Sequence, residues 1–242
     1  MLEFGGRNVE WDGPVWKYFR MERFIETLEM STLYFAAATQ FSDPFEGAVA
    51  VQADEHDTDP RYAAMEISEN AFFALKRLTK ISCWHRASYE SDAMWKLYAN
   101  EHKGIAICTT PERMRAAFRP FRLSPDYGVE QLIAAPVEYI DLTQVRMNGA
   151  GMLDRFFFKH RAFEWEREFR LAISLRMAEE FGVQVPDGGI HVEFDLEALV
   201  DRIVLGSTIS AHEREIVAAS VEGAGLGDRL QYSTLLGRPR YI

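Results

Sequence analysis

The most regular hydrophobic pattern in the chain is an alternation between Phe163 and Ile173. Five apolar residues share one parity and four charged residues share the other: Phe163, Trp165, Phe169, Leu171 and Ile173 against Glu164, Glu166, Glu168 and Arg170. Arg167 is the only polar exception on the apolar parity. A period of two is typical of a β-strand, because successive side chains of a strand point to opposite faces. The pattern therefore predicts a strand over Phe163–Leu175 with three carboxylates and a guanidinium on one face.

The remaining hydrophobic patterns predict short strands and amphipathic helices. The predicted strands are Val15–Arg20, Leu33–Ala37, Ile81–His85, Ile105–Thr109, Ala135–Ile140, His191–Phe194, Arg202–Gly206 and Leu230–Leu235. The predicted helices are Glu22–Met30, Arg61–Lys80, Pro111–Phe118, Met152–His160, Leu196–Val200 and Ala211–Ala219. Strands outnumber helices, which indicates an α+β fold with a mixed or mostly antiparallel sheet, for which a split sheet is one option. The helices are expected to be concentrated in the first half of the chain.

One further helix is predicted from its capping residues. Ser91 is a suitable N-cap, Asp92 follows it in the first turn, and Gly104 is a suitable residue to end the helix. His102 and Lys103 would then place positive charge near the negative end of the helix dipole. This pattern predicts a helix that begins after Ser91 and stops at Gly104.

Turn-forming residues predict two loops. Thr39–Gly47 contains Asp43-Pro44, and a residue that precedes proline avoids the helical region. Gln52–Pro60 is acidic and polar, which predicts an exposed loop. No repeat or low-complexity linker separates the elements, so we expect a single domain over residues 1–242.

Composition and charge narrow the class of protein. The chain has 242 residues, of which 48% are hydrophobic and 26% are charged, which is typical of one globular domain. The net charge of −10 disfavours nucleic acid and anionic membranes as partners. Two cysteines, no signal-peptide pattern and no long apolar run lead us to expect a cytoplasmic protein without a membrane span.

The charged face of the predicted strand has two interpretations. Carboxylates two residues apart on a strand lie about 6–7 Å apart, and like charges at that distance disfavour each other's ionisation. Lys159, Arg161 and Arg170 are the local cations that could compensate. The face is either the solvated side of an edge strand, or the wall of a cleft in which one carboxylate acts on a substrate.

Other candidate groups are a thiol, an imidazole and a second pair of carboxylates. Cys83 and His85 share one face of a predicted strand, so a cysteine nucleophile is one hypothesis. Asp43 and Glu46 lie in a rigid turn, where they could cap the turn, bind a metal or hold the loop against the sheet. No spaced Cys/His set and no glycine-rich phosphate loop is found, and a metal cofactor is not expected.

Six blocks of sequence resemble a bacterial domain-of-unknown-function family, the one numbered 2971. They are Tyr18-Phe19-Arg20, Leu33-Tyr34-Phe35, Phe41-Ser42-Asp43-Pro44-Phe45-Glu46, Met94-Trp95-Lys96-Leu97-Tyr98-Ala99, His102-Lys103-Gly104-Ile105 and Glu166-Arg167-Glu168-Phe169-Arg170. The chain departs from the family at Phe163, where tryptophan is common, and at Lys96, where serine is common. The family has no established activity, but the resemblance emphasises Glu166, Glu168 and Arg170 over Glu164.

The order of elements is also similar to that of the Arg-Ser-Glu class of ADP-ribosyltransferases, in which NAD lies in the cleft of a split antiparallel sheet. This similarity implies that Arg20 binds the NAD phosphates, Glu168 stabilises the cationic ribose and Glu166 orients the acceptor. It further implies a group of NAD-binding residues that consists of Tyr18, Arg20, Trp95, Tyr98 and Arg170, with Trp95 or Tyr98 stacking on nicotinamide. Thr39 and Thr109 are the only stand-ins for the central serine.

Three functions remain open from the sequence. The first is an NAD-consuming ADP-ribosyltransferase or glycohydrolase that acts on a nucleotide and an unknown acceptor. Such a protein would be a bacterial toxin or a phage-defence effector, and an antitoxin protein would inhibit it. The second is a metal-dependent hydrolase or nuclease that holds a divalent ion with Asp43, Glu46, Glu166 and Glu168. The third is a non-catalytic module whose charged strand and loop are scaffolding and whose aromatic cleft binds a protein.

Overall fold

The computed structural model describes residues 2–4, 12–48, 63–145 and 151–237. The chain forms two compact units, each assembled from three stretches of sequence. The first unit contains Met1–Arg7, Tyr34–Ser82 and Pro120–His191, and the second contains Asn8–Leu33, Cys83–Arg119 and Val192–Ile242. The predicted loop Gln52–Pro60 lies outside the described residues. The expectation of a single domain stays a prediction.

The described residues form helices and strands that alternate along much of the chain. The helices are α1 (Met21–Met30), α2 (Ala63–Leu78), α3 (Asp92–Tyr98), α4 (Pro111–Ala117), α5 (Arg176–Glu180), α6 (Leu196–Leu199) and α7 (Ala211–Gly223). The strands are β1 (Leu2–Phe4), β2 (Val15–Phe19), β3 (Thr32–Ala37), β4 (Thr79–Arg86), β5 (Ile105–Thr109), β6 (Leu132–Pro136), β7 (Glu138–Ile140), β8 (Phe158–His160), β9 (Glu168–Ser174), β10 (Ile190–Glu193), β11 (Arg202–Leu205) and β12 (Leu230–Tyr232). Short 3₁₀ helices at Asp154–Phe157 and Arg161–Glu166 precede and follow β8.

The first unit is built around β6 and β9, which run antiparallel with Ala134 opposite Leu171. Strand β1 adds to β6 in parallel, and the start of β4 follows β9 in the strand order. The end of β3 pairs antiparallel with the start of β4, while β7 and β8 form a separate parallel pair. Every residue of β9 except Ser174 is buried, so this strand is covered on both faces.

The second unit is built around β5, which is antiparallel to both β2 and β11. The end of β4 pairs antiparallel with β2, and β12 adds to β11 in parallel. All five residues of β5 are buried. Trp16 and Tyr18 of β2 pack with Trp95 of α3 in the hydrophobic core of this unit.

This architecture confirms the predicted α+β class with a mixed, mostly antiparallel sheet. Antiparallel pairings outnumber parallel ones among the pairings given above. The helices are less concentrated in the first half than predicted, since the 13 residues of α7 lie near the end of the chain. No helix within the described ranges combines the length and the apolar character needed to cross a bilayer.

Two helices begin at the predicted residues, Pro111 and Ala211, and each has an N-cap. The Thr110 hydroxyl accepts the Arg113 N–H at 3.3 Å, and Pro111 occupies the first helical position of α4, where an N–H is not needed. At α7, Ser210 and Glu213 accept each other's backbone N–H at 3.2 and 2.9 Å, which is a capping box. These bonds satisfy donors that the first turn of a helix would otherwise leave unpaired.

Gly104 has a different role from the predicted one. Helix α3 ends before it, and the intervening Asn100, Glu101 and His102 have positive φ angles of 48°, 55° and 66°. A Cβ at Gly104 would lie 2.0 Å from the Phe19 carbonyl oxygen. Glycine is therefore required for the close approach of β2, and the prediction of a helix that continues to Gly104 is wrong.

The predicted helix over Met152–His160 is also wrong. The segment forms the 3₁₀ helix Asp154–Phe157 and then β8. Phe156 and Phe157 are both buried at the end of the 3₁₀ helix. As a consequence, Lys159 lies in a strand instead of on a helix.

Candidate functional site

The charged segment does not form one continuous strand. Arg161–Glu166 is a 3₁₀ helix, Arg167 has a left-handed φ of 44°, and β9 begins only at Glu168. The predicted strand over Phe163–Leu175 is therefore wrong in its first half. A left-handed residue reverses the local direction of the chain, so the alternation before it does not continue the strand after it.

Burial separates the charged residues of this segment. Glu164 is exposed, whereas only 7% of Glu166, 5% of Glu168 and none of Arg170 is accessible to solvent. The interpretation as a solvated face therefore fits Glu164 alone. A charge that is buried as deeply as Glu166, Glu168 or Arg170 is strongly unfavourable without a partner. The groups that pair with these three residues therefore determine the chemistry of the site.

Lys159 is the cation that bridges the two buried glutamates. It lies in β8 and is itself buried. Its Nζ atom donates to Oε2 of Glu166 and, at 2.7 Å, to Oε1 of Glu168. The same Nζ atom lies 4.6 Å from the centre of the Phe163 ring. The two carboxylates therefore share one ammonium group.

Arg170 connects Glu168 with the loop that carries Glu46. Its Nε atom donates to Oε2 of Glu168 at 2.6 Å. Its Nη1 atom donates to Oε1 of Glu46 and, at 2.6 Å, to the Phe156 carbonyl oxygen, while Nη2 donates to Oε2 of Glu46 at 3.0 Å. The pair with Glu46 has the two-pronged geometry that guanidinium and carboxylate groups favour. We refer to Glu46, Lys159, Glu166, Glu168 and Arg170 as the ion cluster.

The loop that carries Glu46 is shaped by its own hydrogen bonds. Oδ1 of Asp43 accepts the Phe45 N–H at 2.9 Å, and the Asp43 carbonyl oxygen accepts the Glu46 N–H at 3.2 Å. Gly47 has a φ of 76°, and a Cβ there would lie 2.5 Å from the Phe156 ring. Both conditions require glycine at this position. The loop therefore reaches the ion cluster in a defined conformation.

The two bridged glutamates have opposite pKa shifts. Burial raises the pKa of Glu166 to about 7, and its hydrogen bond with Glu168 adds to the rise, against the opposing effect of Lys159. Burial also disfavours the ionised form of Glu168, but the Arg170 charge and the hydrogen bond with Glu166 outweigh it and hold the pKa of Glu168 well below its usual range. A proton that resides on Glu166 and is shared with Glu168 accounts for both directions.

The charge balance of the ion cluster explains why one proton is retained. Lys159 and Arg170 supply two positive charges, and Glu46 and Glu168 supply two negative charges. The cluster is therefore neutral when Glu166 is protonated. Ionisation of Glu166 adds one negative charge without a matching cation in a buried place. A carboxyl group that changes its protonation near pH 7 is suited to proton transfer.

The groups beside the glutamates keep one protonation state. Burial by itself would lower the pKa of Lys159, but the Glu168 charge and the hydrogen bonds to both glutamates raise it above its ordinary value. The Tyr139 hydroxyl accepts the Glu168 N–H at 2.7 Å, and burial together with the Glu168 charge raises the pKa of that tyrosine. Lys159 therefore stays charged and Tyr139 stays neutral at physiological pH.

The other residues predicted to bind NAD belong to the second unit. Arg20 is exposed and directly precedes α1, where its carbonyl oxygen accepts the Phe24 N–H at 3.0 Å. Tyr98, at the end of α3, is 48% exposed. Their role in NAD binding stays a prediction.

Tyr18 and Trp95 form part of the core of the second unit. The Tyr18 hydroxyl accepts the Ser91 N–H at 2.9 Å, and its ring lies edge-on to Trp95 at 5.0 Å. Trp95 is fully buried, and its Nε1 atom donates to Glu90 at 2.8 Å. A fully buried ring offers no face to a ligand, so the stacking role predicted for Trp95 is not favoured by this geometry. We refer to Trp16, Tyr18, Trp95 and His102 as the aromatic cluster.

His102 and Lys103 lie in different environments. His102 is buried, with Nε2 2.9 Å from Oδ1 of Asp92 and its ring stacked on Trp95 at 6.0 Å. Its Nδ1 atom is buried without a hydrogen-bond partner in the described structure. Lys103 is exposed. The left-handed turn that ends at His102 folds the imidazole back to the first residue of α3, away from the helix end where it was predicted. The predicted role of Lys103 as a cation at that end stays a prediction.

The structure does not favour the metal hypothesis. Within the described residues, no group of three or more His, Cys, Asp or Glu side chains is placed to hold a metal ion. The guanidinium of Arg170 binds Glu46 and Glu168, two of the carboxylates predicted to surround a divalent ion. The hypothesis of a Cys83 nucleophile stays a prediction, with Cys83 half-buried and His85 buried.

No family model, curated protein or solved structure matches the chain. The resemblance to the family numbered 2971 and the similarity to ADP-ribosyltransferases therefore stay predictions. The site has to be interpreted from its own chemistry.

Sequence reasoning named Lys159 only as one of three cations that could compensate the carboxylates, and it did not place Tyr139 in the site. A signal for Lys159 exists, because it follows the three phenylalanines 156–158, and a lysine in an apolar run needs a buried partner. No comparable signal marks Tyr139. Its hydroxyl accepts a backbone N–H 29 residues away along the chain, a separation that no local pattern reports.

Proposed function

We propose that this protein is an enzyme that cleaves the N-glycosidic bond between nicotinamide and ribose in NAD, with the ion cluster as its active centre. The observation that carries the proposal is the pair Glu166 and Glu168, which hold one proton between them beside Lys159. Enzymes that break glycosidic bonds commonly use two carboxyl groups whose environments give them different pKa values. The similarity in element order to ADP-ribosyltransferases supports NAD as the substrate.

Cleavage of NAD requires a base and a negative charge but no acid. Nicotinamide departs with the electron pair of the C1′–N bond and becomes neutral, so it takes up no proton. The positive charge that develops on the ribose is stabilised by a nearby carboxylate. Water, or the nucleophile of an acceptor, then forms the new bond to C1′ and gives its proton to a base. Hydrolysis thus yields nicotinamide, ADP-ribose and one proton.

We assign the role of base to Glu166. Its pKa of about 7 leaves about half of the side chain ionised at neutral pH. Ionised Glu166 also gives the ion cluster one net negative charge, which is the charge needed opposite the ribose cation. Glu168 has one oxygen bonded to Lys159 and the other to Arg170, so we assign it a positioning role beside Glu166.

The decisive experiment compares Glu166→Gln with Glu164→Gln. Glutamine reproduces the shape of protonated Glu166 but cannot accept a proton, so nicotinamide release should fall on the order of 100-fold or more while the protein stays folded. Glu164 is exposed and two residues away, so its substitution should leave the rate unchanged. Because the base must be ionised, the wild-type rate should rise with pH through about 7 and then level off.

Two outcomes would count against the proposal. If the wild-type protein leaves NAD intact in the presence and absence of a cell lysate as a source of acceptors, the activity does not exist. If Glu166→Gln releases nicotinamide at the wild-type rate, the reaction does not take place at the ion cluster.

A second candidate function is a non-catalytic binding module. The observation that favours it is the mutual pairing of Glu46, Glu168 and Arg170, which fastens the loop of Glu46 to β9. In that case the ion cluster is scaffolding, and Glu166→Gln would leave the binding of a partner protein unchanged.

The biological role of the proposed activity is part of the same proposal. A bacterial toxin or phage-defence effector that consumes NAD in the cytoplasm would have to be restrained, and an antitoxin protein is the expected partner. This role rests on the resemblances in sequence and on the proposed activity.

A further inference from the structure

Arg155 is a half-buried arginine whose charge has no partner in the part of the chain that the structure describes. It lies in the 3₁₀ helix Asp154–Phe157 of the first unit. Its Nε atom is shielded from solvent and makes no hydrogen bond. The adjacent carboxylate of Asp154 points to a different donor, the Gly151 N–H, at 3.2 Å. Burial lowers the pKa of Arg155, and no carboxylate opposes that shift.

Two other shielded arginines of the first unit are compensated. Arg170 is paired with two glutamates of the ion cluster. Arg77, which is also half-buried, is paired with Glu179 and Asp187. Arg155 differs from them because it has lost part of its hydration and is paired with no carboxylate of the described residues.

An arginine cannot relieve this situation by losing its proton, because its pKa stays far above physiological pH. Partial burial of an unpaired charge destabilises the folded protein. Such a residue becomes favourable when an anion from outside the chain binds to it. Guanidinium groups match phosphate oxygens particularly well, since two N–H groups can donate to two oxygens at once.

The position of Arg155 links it to the ion cluster. The next residue, Phe156, accepts a hydrogen bond from Arg170 through its carbonyl oxygen at 2.6 Å. The side chain of Phe156 is fully buried and contacts the position of Gly47 in the loop of Glu46. The backbone on the C-terminal side of Arg155 is therefore held in place, while Nε of its guanidinium has no hydrogen-bond partner within residues 2–4, 12–48, 63–145 and 151–237.

We propose that Arg155 is an anion-binding residue of the first unit and takes the diphosphate of a nucleotide substrate. The nucleotide rests on the function proposed above, whereas the anion site does not. Arg155 would then bind the phosphate groups while Glu166 acts at the ribose. The sequence had assigned phosphate binding to Arg20, which belongs to the second unit.

Pyrophosphate binding to the whole protein, measured by titration calorimetry, tests the anion site without any turnover. Arg155→Met should weaken pyrophosphate binding about tenfold or more. Arg176→Met is the matched control, because Arg176 is exposed in the same unit and already pairs with Glu180 at 2.6 Å. That control should bind pyrophosphate as the wild type does.

Thermal unfolding of Arg155→Met distinguishes an anion site from a structural role. Removal of an uncompensated half-buried charge should leave the unfolding midpoint unchanged or raise it, even as pyrophosphate binding is lost. A lowered midpoint would show that the guanidinium already has a partner within the chain, and this result would overturn the proposal. Equal pyrophosphate binding by Arg155→Met and the wild type, or no binding by either, would overturn it as well.

The failure of this inference and the failure of the proposed function give different results. If NAD is consumed and Arg155→Met retains the wild-type Michaelis constant, the anion site is refuted and the activity remains. If pyrophosphate binds through Arg155 but NAD is not consumed, the NAD-cleaving activity is refuted and the anion site remains.

Discussion

The ion cluster of the first unit and the aromatic cluster of the second unit both bury polar groups, but they satisfy them differently. In the ion cluster, Arg170 binds Glu46, which is 124 residues away along the chain. In the aromatic cluster, Trp16 Nε1 donates to the Ala87 carbonyl oxygen at 2.8 Å, a single bond to the backbone. One cluster therefore depends on matched charges, and the other depends on packed rings with individual hydrogen bonds.

This difference determines how each cluster responds to the loss of one member. Removal of a charged residue from the ion cluster leaves an opposite charge buried and unpaired, which costs more than the lost bond itself. Removal of a polar atom from the aromatic cluster leaves the rings in contact, so the loss is limited to a small void and one bond. Through Glu166, the ion cluster should also change its contribution to stability with pH.

The largest effect is expected for Arg170→Met. The substitution leaves Glu46 and Glu168 buried without their guanidinium, which should lower the free energy of unfolding by about 3–5 kcal/mol. Urea unfolding at neutral pH measures this change. The control Arg176→Met removes an exposed pair and should cost about 1 kcal/mol or less. A loss for Arg170→Met as small as that of the control would show that the ion cluster is not held by charge pairing.

The second effect is a dependence of stability on pH that Glu166 causes. The pKa of Glu166 is about 7 in the folded protein, whereas the ordinary value of 4.5 applies in the unfolded chain. Between these two pH values the folded protein keeps a proton on Glu166 that the unfolded chain has released. Stability therefore falls as pH rises through this range, by on the order of 3 kcal/mol in total. Glu168 contributes in the opposite sense, and its contribution is lost only as pH falls below 4.5.

Urea unfolding of the wild type and Glu166→Gln at pH 5 and pH 8 isolates this contribution. Glutamine does not ionise, so the variant should gain stability relative to the wild type as the pH rises. If the free energy of unfolding changes with pH in the same way for both proteins, the proton is held elsewhere in the ion cluster and not on Glu166.

The smallest effect is expected in the aromatic cluster, for Trp95→Phe. The change removes the hydrogen bond to Glu90 and leaves a void beside Tyr18, which should cost roughly 1–3 kcal/mol. The cost should be the same at pH 5 and pH 8, as measured by urea unfolding. Trp165→Phe is the matched control, because that tryptophan is 46% exposed, and its effect should stay within about 0.5 kcal/mol. If Trp95→Phe lowers the free energy of unfolding more than Arg170→Met does, the proposed difference between the two clusters is wrong.

Elements with strong local signals could be predicted from the sequence. The strand Ile105–Thr109 has the predicted bounds, because a short run of apolar residues between a glycine and a helix cap leaves little choice. Helix α7 begins after Ser210, whose capping box with Glu213 is visible in the sequence. In both cases the residues that form the element also carry its signal.

Elements whose conformation depends on distant contacts could not be predicted. The alternation before Glu168 is typical of a strand, yet Arg167 adopts a left-handed conformation for which arginine has no preference. Glu101 is likewise left-handed between α3 and β5, flanked by Asn100 and His102, two residue types that adopt this conformation more readily. Packing against the rest of the unit overrides the local preference at these positions.

The sequence by itself determined the α+β class and most of the regular elements, and it singled out Glu166, Glu168 and Arg170 as candidate site residues. The tertiary structure decided which charges are paired: Lys159 with both glutamates, Arg170 with Glu46, and Arg155 with none of the described residues. Element type follows from neighbours along the chain. Burial and charge balance depend on residues that only folding brings together, and these set the pKa of Glu166 and leave Arg155 available for an anion.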